Sequence, residues 1–113
     1  MEVLISGSRT IDDPEVIAKA IDDSGFEITG ILSGGAKGVD ALAEAWAEQH
    51  DIPVTRIVPD WKRHGRGAGF QANKKLLARA DAVIAIWDGK SKGTKDVIDK
   101  AEKKGMSVKV MFA

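Results

Sequence analysis

Three glycine-containing segments hold the residues whose types and spacing suit chemistry: Gly7-Ser8-Arg9, Ser33-Gly34-Gly35-Ala36-Lys37-Gly38 and Asp88-Gly89-Lys90-Ser91-Lys92-Gly93-Thr94. Each follows a short apolar run and precedes a helical pattern. Glycines let a backbone approach a ligand closely, and the first turn of a helix offers unpaired N–H groups with a partial positive charge. Such turns suit a phosphate or another anion. One glycine after a strand is ordinary chain reversal, but three turns on one sheet edge point to a site. Arg9 stands where a bidentate anion contact is wanted, and Arg66 lies in a basic segment nearby in type. Asp40, in the first turn of the helix after the second segment, favours the helix dipole, holds the glycine loop or binds a ribose hydroxyl. Asn73 is polar on an apolar stripe and needs a partner, either a backbone carbonyl of the basic segment or a ligand. Trp61 and Trp87, at or near strand ends, pack a loop or stack on a base.

Other chemistries are excluded by what is missing. Residues 34–40 are neither a P-loop nor a GxGxxG fingerprint, so ATPase and ordinary NAD dehydrogenase assignments fall. There is no cysteine, which removes disulfides, thiolate metal sites and thiol catalysis. No nucleophile elbow and no paired carboxylates stand at an obvious site. His50 and His64 lack metal-ligand neighbours; His50 suits a helix C-terminus, and His64 is a loop residue or a ligand contact. No catalytic residue, metal or required cofactor is assigned.

The elements that must position these turns follow from periodicity. Val3–Ile5 is a buried-type strand. Asp13 and Pro14 start a helix, as an N-cap acceptor followed by a proline where no N–H is needed, with Val16, Ile17, Ala20 and Ile21 inward and Gly25 as the stop. Residues 28–32 form a second strand, and Val39, Leu42, Ala43 and Trp46 make the next helical stripe, with Trp46 expected in the core. Residues 53–58 form a third strand and residues 59–69 a basic loop. A helix with Leu76, Leu77 and Ala80 inward follows. Ala82–Trp87 is almost wholly apolar, the mark of a strand buried on both faces of a parallel sheet. Thr94 caps a helix with Val97, Ile98 and Ala101 inside, Gly105 closes it, and residues 108–112 form a fifth strand. Strands alternating with helices imply an α/β fold of three layers, a five-stranded parallel sheet with helices on both faces.

The chain has 113 residues, 43% hydrophobic and 30% charged, so a single domain over 1–113 is expected. No apolar run reaches the roughly 18 residues of a membrane span, and Glu2 before a strand is not a signal peptide. A soluble cytoplasmic protein with no membrane partner is expected. The net charge is zero but unevenly spread: residues 1–55 carry three basic and eleven acidic side chains, whereas residues 56–79 carry seven basic and only Asp60. That segment is either a solvated helix face or a positive lip over an anionic ligand.

Together, Gly7-Ser8-Arg9, Ser33 to Asp40 with Ala43 and Trp46-Ala47, Asp60-Trp61, Ala68-Gly69 with Asn73, and Ser91 to Thr94 with Ala101 resemble the SLOG superfamily, and within it the small YspA-like branch. The resemblance implies a Rossmann-like sheet of order 3-2-1-4-5 whose turns line one pocket, a role in binding nucleotides or nucleotide-derived signals, and homodimers. The Ser33 to Asp40 stretch also looks like the DNA-processing protein DprA, which binds single-stranded DNA. The Gly93-Thr94 turn looks like the LOG phosphoribohydrolases, which split the base from a nucleoside monophosphate. In those enzymes a catalytic Glu stands three residues after the Thr; here that place is Val97, and Asp96 is turned about 100° away. The branch usually has an arginine before the asparagine, here Ala72, so that positive contact is either lost or supplied by Arg66 or Lys74.

The leading expectation is a sensor or sponge for a nucleotide-like small molecule, bound by Gly7, Ser8, Arg9, Ser33, Gly34, Gly35, Ala36, Lys37, Gly38, Asp40, Trp61, Arg66, Asn73, Trp87, Ser91, Gly93 and Thr94. The alternatives are a phosphoribohydrolase-like enzyme and a single-stranded nucleic-acid module.

Overall fold

The computed structural model describes residues 1–113. Five strands, β1 (Glu2–Gly7), β2 (Gly30–Ser33), β3 (Val54–Arg56), β4 (Ala82–Trp87) and β5 (Ser107–Phe112), form one sheet in the order β3-β2-β1-β4-β5. Every pairing is parallel. Helices α1 (Pro14–Ser24) and α2 (Val39–Gln49) cover one face; α4 (Ala68–Arg79) and α5 (Lys92–Lys103) cover the other. This is the Rossmann-like α/β arrangement. The chain winds outward from β1 to β3, then crosses back to β4 beside β1, so strand order reverses between β1 and β4. Ligands of open α/β sheets bind in the crevice at such a reversal, outside the carboxyl ends of the strands.

The sheet is held by two apolar layers. Val3, Ile5, Ile31, Ile84 and Ile86 pack under Ile17, Ala20, Val39, Ala43 and Ala47 on one side. Leu4, Leu32, Val83 and Ala85 pack under Leu76, Leu77, Val97, Ile98 and Ala101 on the other. Because β1 and β4 are buried on both faces, alternate side chains feed both layers, and each fully buried Ile or Leu contributes about 1.5–3 kcal/mol. α1 begins where Asp13 accepts a hydrogen bond from the Glu15 N–H at 3.0 Å, with Pro14 at the first position. No helix is long and apolar enough to cross a membrane.

Several local expectations are corrected. Residues 59–69 are not one loop. The Asp60 carboxylate accepts from the Arg63 N–H at 3.2 Å and caps a one-turn helix, α3 (Trp61–His64), followed by a 3-10 turn over Gly65–Gly67 that leads into α4. Thr94 is not the cap of α5: Ser91 is, its hydroxyl accepting from the Thr94 N–H, while Thr94 itself is buried and donates its hydroxyl to Ser91 Oγ at 3.1 Å. The second strand starts at Gly30 because the backbone ahead of it ties the chain start, Met1 N donating to Glu27 O and Thr29 N to Met1 O, both at 2.9 Å. Trp46 lies half-buried at the edge of its layer, stacked on the His50 ring at 4.3 Å.

Candidate functional site

The ends of β1, β2 and β4 open into one cleft of about 700 Å³, within the range of small-molecule sites. It is lined by Gly7 and Arg9 after β1, by Gly34 to Lys37 and Asp40 after β2, and by Ser91, Gly93 and Thr94 after β4. Trp61, Arg66 and Asn73 close it from the α3–α4 side. Thirteen of the seventeen residues singled out from the sequence therefore meet here. Ser8, Ser33, Gly38 and Trp87 stand behind the lining and brace it. Ser8 is buried and accepts from the Asp88 N–H at 3.0 Å, joining the first turn to the third. Ser33 donates to Glu44 Oε2 at 2.7 Å and accepts from the Gly35 N–H. The Trp87 indole donates to Ser91 O at 3.0 Å and packs beside Phe112, outside the cleft lining.

Gly38 shows why the second turn needs glycine. Its φ is +71°, and a Cβ there would overlap the Ser8 carbonyl oxygen and the Arg9 backbone. The first and second turns can thus touch backbone to backbone, locked by the Val39 N–H donating to Ser8 O at 3.3 Å. Gly35, at φ +73°, leaves no room for a Cβ between Arg56 and Val58. Gly93 is different: nothing lies within 4 Å of the position a Cβ would take.

Asp40 forms the floor. It is 7% exposed, and Oδ2 accepts from the Ala36 N–H at 3.1 Å, pinning the glycine loop to the start of α2. Burial, reinforced by Glu44, pushes its carboxyl up to about 6 from the ordinary 3.8, against the hydrogen bonds from Ala36 and Gly34 and the charge of Arg9. Glu44 goes the other way: burial would raise it, but hydrogen bonds from Arg56 and Ser33 hold it below its usual range. Arg56 is thereby committed to Glu44 and is not free for a ligand. By contrast Arg9, Lys37 and Arg66 are exposed, line the cleft and belong to none of the five ion pairs. At the third turn, the Lys90 and Ser91 N–H groups donate to Asp88 Oδ1 and hold that carboxyl below its usual range. Capping by Ser91 satisfies Thr94, leaving the Lys92 and Gly93 N–H groups at the mouth of α5 without an intrahelical acceptor.

Asn73 lines the cleft but does not reach a carbonyl of the basic segment. Its Nδ2 donates to Gly93 O at 3.2 Å and to Asp96 Oδ2 at 3.1 Å, and Asp96 also accepts from Lys100 Nζ at 3.0 Å. Asp96 is thus held in a bridge between α4 and α5, outside the cleft lining, and Val97 is wholly buried in the core. Lys74, the alternative source of the charge missing at Ala72, is also outside the lining, whereas Arg66 is inside it. The cleft further takes in Ser6, Val58, Pro59, Gly69, Phe70 and Ala72, which sequence reasoning did not assign to it. Phe70 sits three residues before Asn73 on the same helical side, a spacing that could have marked it.

The model of the YspA, cpYpsA-related SLOG family matches residues 1–64. This chain belongs to that family. The matched stretch holds the first two glycine turns, Asp40 and Trp61, while the third turn lies beyond it. The SLOG chain is also 34% identical, over 116 aligned positions covering 94% of it and 92% of the relative, to the Gene 61 protein of Mycobacterium phage D29. No solved structure matches it.

Proposed function

We propose that this SLOG protein binds a nucleotide or nucleotide-derived small molecule in the cleft, as a sensor or sponge. The observation that carries the proposal is the convergence of three glycine-containing turns with three unpaired cations, Arg9, Lys37 and Arg66, around one cleft. A phosphate or pyrophosphate would take the Lys92 and Gly93 N–H groups at the α5 mouth and the cations across from them. Trp61, which is 55% exposed, and Phe70, 46% exposed, offer flat apolar faces at the rim for a base. Family membership is in keeping with a nucleotide-related ligand. A LOG-type hydrolysis draws no support from the site, since the position of its acid is the core residue Val97 and Asp96 is bound by Asn73 and Lys100.

The test is a thermal-shift screen of nucleotides, dinucleotides and cyclic nucleotides on the wild type and Gly93→Asp, with free base assayed in the same wells. An aspartate at the second position of α5 suits the helix dipole and meets open space, so the variant keeps its fold while placing a negative charge at the anion site. A ligand at a hundredfold excess over Kd adds about 2.7 kcal/mol, several degrees for a domain of this size. The expected result is a shift in the wild type, lost in Gly93→Asp, without base release. No shift with any nucleotide, or equal shifts in both proteins, overturns the proposal.

A further inference from the structure

Cations stand around the cleft, yet an acid forms its floor. Asp40 shares the lining with Arg9, Lys37 and Arg66, but it enters none of the five ion pairs. Backbone alone holds it, through the N–H groups of Ala36 and Gly34. The charged groups near it are few. Arg9 acts on it from the turn after β1, and Lys37 belongs to the loop it anchors. Glu44, one turn along α2, opposes its ionisation, and Arg56 from β3 is spent on Glu44. α4 and α5 bring no titratable side chain to the lining, α1 does not reach it, and His64 of α3 stands outside it.

An unpaired carboxylate repels an anion that enters the same cleft. Protonated, the same group is neutral and its O–H becomes a donor for that anion. Burial already favours the protonated form, lifting the carboxyl to about 6, and a bound anion, a second charge of like sign, favours it further. We propose that the cleft takes up its anionic ligand together with one proton from solvent, held by Asp40, so that ligand is bound below neutral pH and released as pH rises. The inference rests on the small-molecule reading of the cleft and adds how that site is regulated. Linkage fixes the direction. In the free protein the proton leaves as pH rises through about 6; in the complex it leaves at a higher pH. Affinity is therefore level at low pH and falls between the two values. For like charges within about 10 Å, at an effective dielectric constant of about 20, the fall is roughly tenfold between about pH 5.5 and pH 8.

Inorganic sulfate is the probe, because its charge is constant over this range whereas a phosphate monoester gains charge at about pH 6. Ionic strength is held constant with chloride, so that screening does not change along the titration. Nuclear magnetic resonance reads both partners: the Gly93 amide reports sulfate binding, and the Asp40 carboxyl carbon reports its own titration with and without saturating sulfate. In the wild type, sulfate should raise the Asp40 midpoint by about one pH unit and bind roughly tenfold more weakly at pH 8 than at pH 5.5. Asp40→Asn, neutral at every pH, should bind sulfate with little pH dependence and at pH 8 more tightly than the wild type. A merely damaged loop would not give that gain. His64→Gln should keep the wild-type slope. The proton linkage is overturned if sulfate shifts Gly93 with equal affinity at both pH values or leaves the Asp40 midpoint in place. It is equally overturned if His64→Gln, and not Asp40→Asn, flattens the slope. A Gly93 amide that does not respond to sulfate at any pH overturns the anion site itself, and the linkage with it.

Discussion

Asp40 Oδ2 accepts the Ala36 N–H at 3.1 Å across a loop of only four residues, so one buried carboxylate sets the shape of the glycine turn and the charge at the cleft floor together. A Cβ on Gly34 would come within 3.0 Å of the same oxygen. The loop is closed down onto Asp40, which is why that side chain is dry enough to hold its proton up to about 6.

That shift has a sign that stability measurements can read. The folded value, about 6, lies above the ordinary 3.8, so protonation favours the fold: the contribution is complete below 3.8 and is lost as pH rises through 6. The span corresponds to about 3 kcal/mol. Asp40→Asn keeps an acceptor for Ala36 and has no proton to lose. Its unfolding free energy, measured in urea at pH 7.5, should match or exceed that of the wild type, and the advantage should shrink steadily toward pH 4.5. Parallel stability curves for the two proteins over this range would show that Asp40 is not the titrating group.

Much of this frame was legible in the residues. The unbroken apolar run of Ala82–Trp87 marked a central parallel strand, Asp13-Pro14 marked a helix start, and the three glycine turns marked the strand ends that the fold brings together. The order β3-β2-β1-β4-β5 followed from the family resemblance. The segment 59–69 was illegible as helix because its three glycines and three basic residues carry no apolar stripe; only the Asp60 cap organises it, through one hydrogen bond from the Arg63 N–H. Asn73 was legible as a polar residue needing a partner, but its partners are Gly93 and Asp96, twenty or more residues away, and such pairing depends on how α4 and α5 pack. The fate of Asp40 depended on burial, which spacing in a sequence does not report.

The Asn73 bridge is a second point of control. One amide ties α4, which carries Phe70 and Gly69, to the α5 mouth that carries Gly93 and Thr94. Asn73→Leu keeps the branched shape of the side chain but removes both donated hydrogen bonds, leaving Gly93 O without that donor and Asp96 with Lys100 alone. The expected cost is about 1–2 kcal/mol, read as a lower urea midpoint with an unchanged slope. Hydrogen exchange should quicken at residues 91–95 while the β1 and β4 amides stay protected. Unchanged exchange at the α5 mouth would mean that Ser91 capping alone holds the turn.

The sharpest contrast with the LOG enzymes lies at Val97, and it predicts what restoring their acid would do. Val97 is wholly buried among Leu4, Leu32, Leu76, Leu77, Val83 and Ala85, one helical step past the bridged Asp96. A glutamate there points into the apolar layer and meets no partner that could neutralise it. Burying an unpaired carboxylate costs several kcal/mol even after it takes up a proton. Val97→Glu should therefore lower Tm by well over ten degrees at pH 8, recover in part at pH 5 as the new carboxyl is protonated, and release no base from nucleoside monophosphates at either pH. Were the variant instead to keep the wild-type Tm and liberate free base, α5 would have to sit rotated by a residue, with position 97 facing the cleft. The core packing of Ile98 and Ala101, on the same stripe as Val97, would then be broken as well, so retained stability and new hydrolysis together would overturn the packing of α5 described above.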